Sequence, residues 1–176
     1  MKRQYIHVLK VFRLEPRGPR AILVAGNLAL PCRIGRTGAT VDKREGDGAS
    51  PRGCFALLGG WWRNDRRPRP RTGLALRPLK PSDGWCDAPG HRNYNRLIRQ
   101  PFSASHEEMW RADHQYDVVL DIGWNRHPRR QGRGSAIFFH QMNETKTGTA
   151  GCVAVEARHM NRLMIRIGTK TRIEIR

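Results

Sequence analysis

A chain of 176 residues has room for one ordinary domain, since compact domains run to roughly 100–150 residues and split only well above that. Hydrophobic residues make up 38% of it, enough for a core and too many for a disordered chain. The longest apolar candidate, Ala21–Leu30, is broken by Gly26 and Asn27, which excludes a membrane helix of roughly 20 apolar residues. Against 15 Asp+Glu stand 33 Lys+Arg, a formal charge of +18 that attracts anionic partners: nucleic acid, anionic lipid or acidic wall polymer.

At the start, Lys2 and Arg3 ahead of apolar residues imitate a secretory leader. His7 and Lys10 interrupt the run, Arg13 and Glu15 follow, and no small-residue cleavage pattern closes it. As read, the chain is expected in the cytoplasm; a leader already removed, or unconventional export, would put it in the periplasm or cell wall. Tyr5–Leu14 reads as a strand, and Ala21–Val24 with Leu28–Ile34, joined by the turn-prone Gly26-Asn27, as a hairpin. Thr37–Gly53 is mostly turn formers and charges, a long loop leading into the apolar Cys54–Leu58. Arg63–Asn95 also reads as loop, with five prolines between Pro68 and Pro89.

Tyr116–Ile122 (YDVVLDI) and Ala136–His140 (AIFFH) are short apolar runs suited to buried strands, expected to pair in one sheet. Gln141–Gly148 is expected to be flexible. From Glu156 onward Met160, Leu163, Met164 and Ile167 fall at i, i+3, i+4 and i+7, with Arg158, Arg162 and Arg166 off that face. This predicts a helix that Gly168 ends. Thr171–Arg176 (TRIEIR) alternates like a strand added to the sheet. With no repeat and no linker, residues 1–176 read as one domain.

Two arginine-rich runs, Arg63–Arg71 (RNDRRPRPR) after Trp61 and Trp62, and Arg126–Arg133 (RHPRRQGR), could serve a single-stranded nucleic-acid groove. Their Pro, Gly and Asn content favours solvated loops instead. No finger spacing, phosphate loop or RNA-binding signature accompanies them, so nucleic acid is not the expected partner. Cys32, Cys54, Cys86 and Cys152 contain no close pair, which supports neither a zinc ribbon nor a dithiol site. At least three of the four are expected to be small hydrophobes. His7, His91, His106, His114, His127 and His159 lack ligand spacing and are expected at the surface.

The chemistry concentrates before the helix. His140 ends a predicted strand, and Thr149-Ala150-Gly151-Cys152 follows the flexible segment. A thiolate is a nucleophile, and a nearby imidazole can take its proton and form an ion pair that lowers the thiol pKa. Gly151 would let the backbone approach a substrate, and the amides of Gly151 and Cys152 could donate to an oxyanion. Acyl transfer is therefore chemically open, while packing accounts for the same residues without it.

The order of these residues resembles the YkuD-type L,D-transpeptidases that remodel bacterial peptidoglycan, whose signature is a strand-end His followed by Ser/Thr-x-Gly-Cys. His140 and Thr149–Cys152 match it. Glu45–Phe55 (EGDGASPRGCF) is similar to the family's EGDGxTPxGxF segment, and Asp83–Asn95 (DGWCDAPGHRNYN), with Trp110–Asn125 beyond it, to a short lineage within the family. The resemblance spans roughly residues 35 to 176. It implies a mainly β sandwich or barrel with one or two short helices. It also implies attack on the amide between the third residue of a peptidoglycan stem, often meso-diaminopimelate, and a terminal D-alanine.

Carried over, Cys152 would be the nucleophile and His140 its base. Loss of D-alanine leaves a thioester, which a second stem's amine resolves as a crosslink, or water as L,D-carboxypeptidase action on muropeptides. The resemblance implies no metal or organic cofactor, and it suggests carbapenem-type covalent inhibitors. Two positions depart from the family's usual pattern: Ala150 where many members have His, and Ala154 where many have a basic or amide residue. Arg133 or Arg99 could then recognise the substrate carboxylate, while Asn125, Trp85 and Tyr94 are candidates for lining the groove. The transpeptidase is the preferred reading. A cytoplasmic L,D-carboxypeptidase of wall recycling is the alternative, and a non-catalytic basic module holding an anionic polymer is the rival from another class.

Overall fold

Apolar runs that are too short for helices and bounded by glycine and proline leave β structure as the way to satisfy the backbone. In a computed structural model the residues described are 5–142 and 148–176; the centre of the segment expected to be flexible, 143–147, lies outside them. The expected hairpin is there. The strands β1 (Val8–Arg13), β2 (Arg20–Ala25) and β3 (Leu28–Arg33) run antiparallel in succession.

Within the expected loop 37–53, β4 (Ala39–Thr40) and β5 (Ser50–Pro51) form a small parallel pair. There follow β6 (Gly53–Ala56), β7 (Gly59–Trp62), β8 (Leu76–Pro78), β9 (Asp83–Cys86), β10 (Arg96–Arg99) and β11 (His106–Glu108). The expected sheet partners are β12 (Val118–Asp121) and β13 (Phe138–Gln141), which pair antiparallel. Last come β14 (Val153–Val155), α1 (Ala157–Met164) and β15 (Arg172–Ile175).

Ten strands make one sheet in the order β6-β15-β1-β2-β3-β14-β13-β12-β7-β8, curled into a half-barrel. The expected terminal strand β15 is parallel to β1 and antiparallel to β6. A second sheet of three strands, β10-β9-β11, is not hydrogen-bonded into it but packs on it through Trp85, against Trp61 and Phe138. The mainly β expectation holds, with one helix among the described residues.

Both faces of the central strands are covered. On one side Val118, Leu120, Phe139, Val153 and Val155 pack with Met160, Leu163 and Met164 of α1. On the other, Trp61, Trp85, Met109, Tyr116, Val119, Phe138 and Cys152 form a second core. Alternate residues thus serve different cores, which is why β12 and β13 read as unbroken apolar runs. Burying a side chain of this size stabilises by about 1.5–3 kcal/mol.

Several expectations are corrected. Residues 63–95 are not loop throughout, since they contain β8 and β9. The 63–71 run is not a solvated loop at its start: Arg63 is 4% exposed, with its guanidinium on Asp65 and the Arg111 carbonyl and 3.6 Å over the Trp110 ring. The helix stops at Met164, because Arg166 and Ile167 bond back three residues to Leu163 and Met164 in a tighter turn. His159 is buried on α1 rather than at the surface, and His91 and His106 are half-buried. Cys32 and Cys86 are buried as expected of small hydrophobes, but Cys54 is exposed on the edge strand β6, its sulfur 3.2 Å from Arg172 Nε. Among the described residues, no helix is long and apolar enough to cross a membrane.

Candidate active site

The parallel pairing of β13 with β14 sets Phe139 opposite Val153 and His140 opposite Ala154. Cys152, one residue before β14, therefore comes beside Phe138. The Phe138 amide donates to its sulfur at 3.3 Å, and its thiol donates to the Ala136 carbonyl at 3.2 Å. Side chains alternate along a strand, so His140 shares a face with Phe138 and hence with Cys152. Both line a cavity of about 330 Å³, a size that suits a small ligand or a peptide end.

His140 is 3% exposed. Its Nδ1 lies 2.7 Å from the Gln141 carbonyl, and its ring packs edge-on against Tyr116 with centroids 5.3 Å apart. A carbonyl only accepts, so Nδ1 carries the hydrogen and Nε2 keeps a free lone pair. Burial holds the imidazole down at about 4. Cys152 is 7% exposed. Burial, reinforced by the charge of Glu107, pushes its thiol up to about 12 against the opposing Phe138 amide. The resting pair is accordingly a neutral thiol and a neutral imidazole, not the ion pair open from sequence, and the thiol hydrogen points to Ala136.

The turn that carries the cysteine is anchored on both sides. Thr149 donates its amide to the Ile34 carbonyl and accepts the Arg36 amide at its own carbonyl. Its hydroxyl donates to the Cys152 carbonyl at 2.7 Å and accepts from the Gly151 amide at 3.1 Å. The Gly151 amide is thus already engaged. Gly151 has φ of 147°, and a Cβ there would come 2.8 Å from the Ala49 carbonyl oxygen and 2.9 Å from Ile137 Cδ1. Close packing against the chain's own backbone requires this glycine, whatever substrate adds. Ser50, fully buried, donates to the Gly151 carbonyl at 2.7 Å and accepts from the Gly35 amide at 3.0 Å. Asp47 orders the loop before it, accepting from the Arg44 and Ala49 amides and from Lys43 Nζ.

Cys152, His140, Thr149 and Ala150 line the cavity. The five proposed binding residues are placed otherwise, and none of them is among its lining. Trp85 is buried in the second core, edge-on to Trp61 and Phe138, with its indole N–H on Asn95 Oδ1. The buried Tyr94 donates its hydroxyl to Glu45 Oε2. Asn125 takes a positive φ of 53° and spends its amide on the Arg130 and Gly134 carbonyls. Arg133 pairs with Asp42 at 2.7 Å, and Arg99 is exposed at the end of β10.

The other walls come from segments not singled out for this role: Arg36, Lys43, Glu45, Glu107, Arg111 and Tyr116. Tyr116 opens the YDVVLDI run, Glu45 opens the EGDG segment and Arg111 lies within Trp110–Asn125, signals that could have found all three; Arg36 and Glu107 carry none. Among the described residues, no group of three or more His, Cys, Asp or Glu is placed to hold a metal ion.

In this curled, mostly β domain a late turn returns a cysteine to the strand bearing a histidine. The family profile described as YkuD, L,D-transpeptidase catalytic domain, matches residues 21–175, and the chain belongs to that family. A search of curated proteins gave no match, nor did a search of solved structures.

Proposed function

We propose that the chain is a cysteine-dependent L,D-transpeptidase acting on peptidoglycan stem peptides. Its support is one observation: Cys152 and His140 sit on one sheet face and line one cavity, with the imidazole tautomer fixed so that Nε2 is the basic nitrogen. In the reaction, the Cys152 thiol turns from Ala136 and gives its proton to Nε2, and the sulfur attacks the carbonyl carbon of the stem's third residue. The resulting oxyanion takes the Cys152 amide, since that of Gly151 is occupied by Thr149. Collapse breaks the C–N bond, and the imidazolium returns its proton to the departing D-alanine amine. A thioester remains on Cys152.

An amine of a second stem then attacks the thioester, its proton passes to His140, and a crosslink forms as the sulfur leaves and is reprotonated. Water in place of the amine yields a tripeptide carboxylate. The two outcomes share the acyl-enzyme and differ in acceptor access, so the compartment decides between them: crosslinking in the wall, trimming of soluble muropeptides in the cytoplasm.

Incubation with a carbapenem or a tetrapeptide stem should add mass at Cys152, as located by peptide mapping. His140→Ala should suppress this as severely as Cys152→Ala. An unmodified Cys152 would instead favour a non-catalytic basic module. The products from one purified muropeptide, tripeptide alone or tripeptide with dimer, separate hydrolysis from transfer.

A further inference from the structure

We propose that Arg36 recognises a carboxylate of the stem peptide, the role left open by Ala154; the assignment rests on the substrate class proposed above. Among the described residues, the arginines and lysines that line the cavity are Arg36, Lys43 and Arg111. Lys43 is buried, and its ammonium is engaged by the Arg44 carbonyl at 2.7 Å and by Asp47 at 2.6 Å. Arg111 is taken up by Asp113 through Nε and Nη2, has Glu107 3.6 Å from Nη1, and lies over the Tyr116 ring. Neither has a fork to spare.

Arg36 differs. Its side chain is exposed, and among the described residues its guanidinium has no hydrogen-bond or ion-pair partner. Its backbone is nevertheless held, because the amide donates to the Thr149 carbonyl at 2.8 Å and Gly35 bridges Thr149 in parallel. The stem crosses Gly48, where a Cβ would stand 3.0 Å from Arg36 Nε and Cζ, and a Cβ on Gly148 would stand 2.8 Å from Arg36 Cα. Two glycines therefore give this arginine its berth.

A leaving residue carries its carboxylate only two bonds from the scissile nitrogen, so the cation that reads it has to stand close to the nucleophile. Arg36 is joined to the turn that ends at Cys152. Ala154 is buried in β14 with a single methyl group, and Arg99 and Arg133 lie outside the cavity lining. A planar guanidinium anchored at its root and unpaired at its tip suits bidentate binding of a carboxylate.

The test is binding measured by calorimetry in a Cys152→Ala background, which separates recognition from chemistry. The probes are a tetrapeptide stem with a free C-terminus, its C-terminal amide, and the stem amidated at its internal carboxylate. One of the amides should bind more weakly than the free acid, on the order of 10- to 100-fold. Which amide does so identifies the carboxylate. Adding Arg36→Gln should bring that ratio close to one, and Arg36→Lys should restore part of it; thermal melts check that each variant is folded, and the lysine variant decides if the glutamine one is not. A ratio unchanged in Arg36→Gln, or equal binding of all three probes by the parent, overturns the assignment. If the ratio behaves as expected while Cys152 in the parent enzyme takes no acyl group, recognition stands and the catalytic reading falls.

Discussion

Burial works against whichever ion a side chain would form, so it raises the Cys152 thiol to about 12 and lowers the His140 imidazole to about 4. Each shift has a consequence for stability, with opposite sign. In the unfolded chain His140 takes a proton below about 6.5, whereas the folded protein resists it down to about 4. Its contribution is therefore fully present above pH 6.5 and lost as the pH falls towards 4, on the order of 3 kcal/mol. Cys152 acts at the other end, since its stability is lost as the pH rises from about 9 towards 12. The urea midpoint should fall between pH 6.5 and 4 in the parent, and less steeply in His140→Gln. The slope is the readout, and equal slopes would mean that the folded imidazole titrates normally.

At this scale the sequence was legible where the chemistry is local. The Thr149–Cys152 turn and the strand-end histidine stand twelve positions apart or less, and their types alone suggest a nucleophile and a base. Arg36 and Glu107 reach the cavity from distant segments, and nothing about an isolated arginine or glutamate announces its destination. Trp85 shows the reverse difficulty, because an aromatic residue among turn formers suits a groove wall and a second core equally well.

Between elements, the decisive contact is the one that the 42–51 loop makes with the cysteine turn. Ser50→Ala would strip the buried Gly35 amide and Gly151 carbonyl of one partner. An unsatisfied buried group costs about 1–3 kcal/mol, and the unfolding free energy from urea melts should drop by that amount, with slower acylation as the turn loosens. A variant as stable and as reactive as the parent would show the contact to be idle. Elements with a clear period were readable: the hairpin about Gly26-Asn27 and the apolar face of α1. The strands β8 to β11 were not. Residues Asp83–Cys86 are all buried, so no alternation marks them, and the prolines around them signal loop more strongly than four residues can signal strand.

For the molecule as a whole, the large positive charge is in part an internal construction. Arg63 and Arg66 of the first run hold Asp65 and Asp117, and Arg67 reaches Asn161 on the helix. These arginines tie loops to the frame, which composition alone could not separate from a surface field. The frame itself depends on β15, which links β6 to β1 in the sheet order. Deleting residues 172–176 should leave the rest unable to form the sheet, seen as lost amide dispersion in NMR spectra. A well-dispersed spectrum from the truncated chain would show that β6 and β1 close without it.

That position of β15 also sets a timetable. Arg13 and Arg176, 163 positions apart, meet through a side-chain bond to a carbonyl, and β1 lacks its parallel partner until the ribosome has made all the strands between them. During translation the nascent half-barrel is an open ribbon with two bare edges, the kind of intermediate that pairs with the wrong chain. Yield in the cell should therefore be governed by how quickly β15 emerges after β1 and how well chaperones shield the waiting edges.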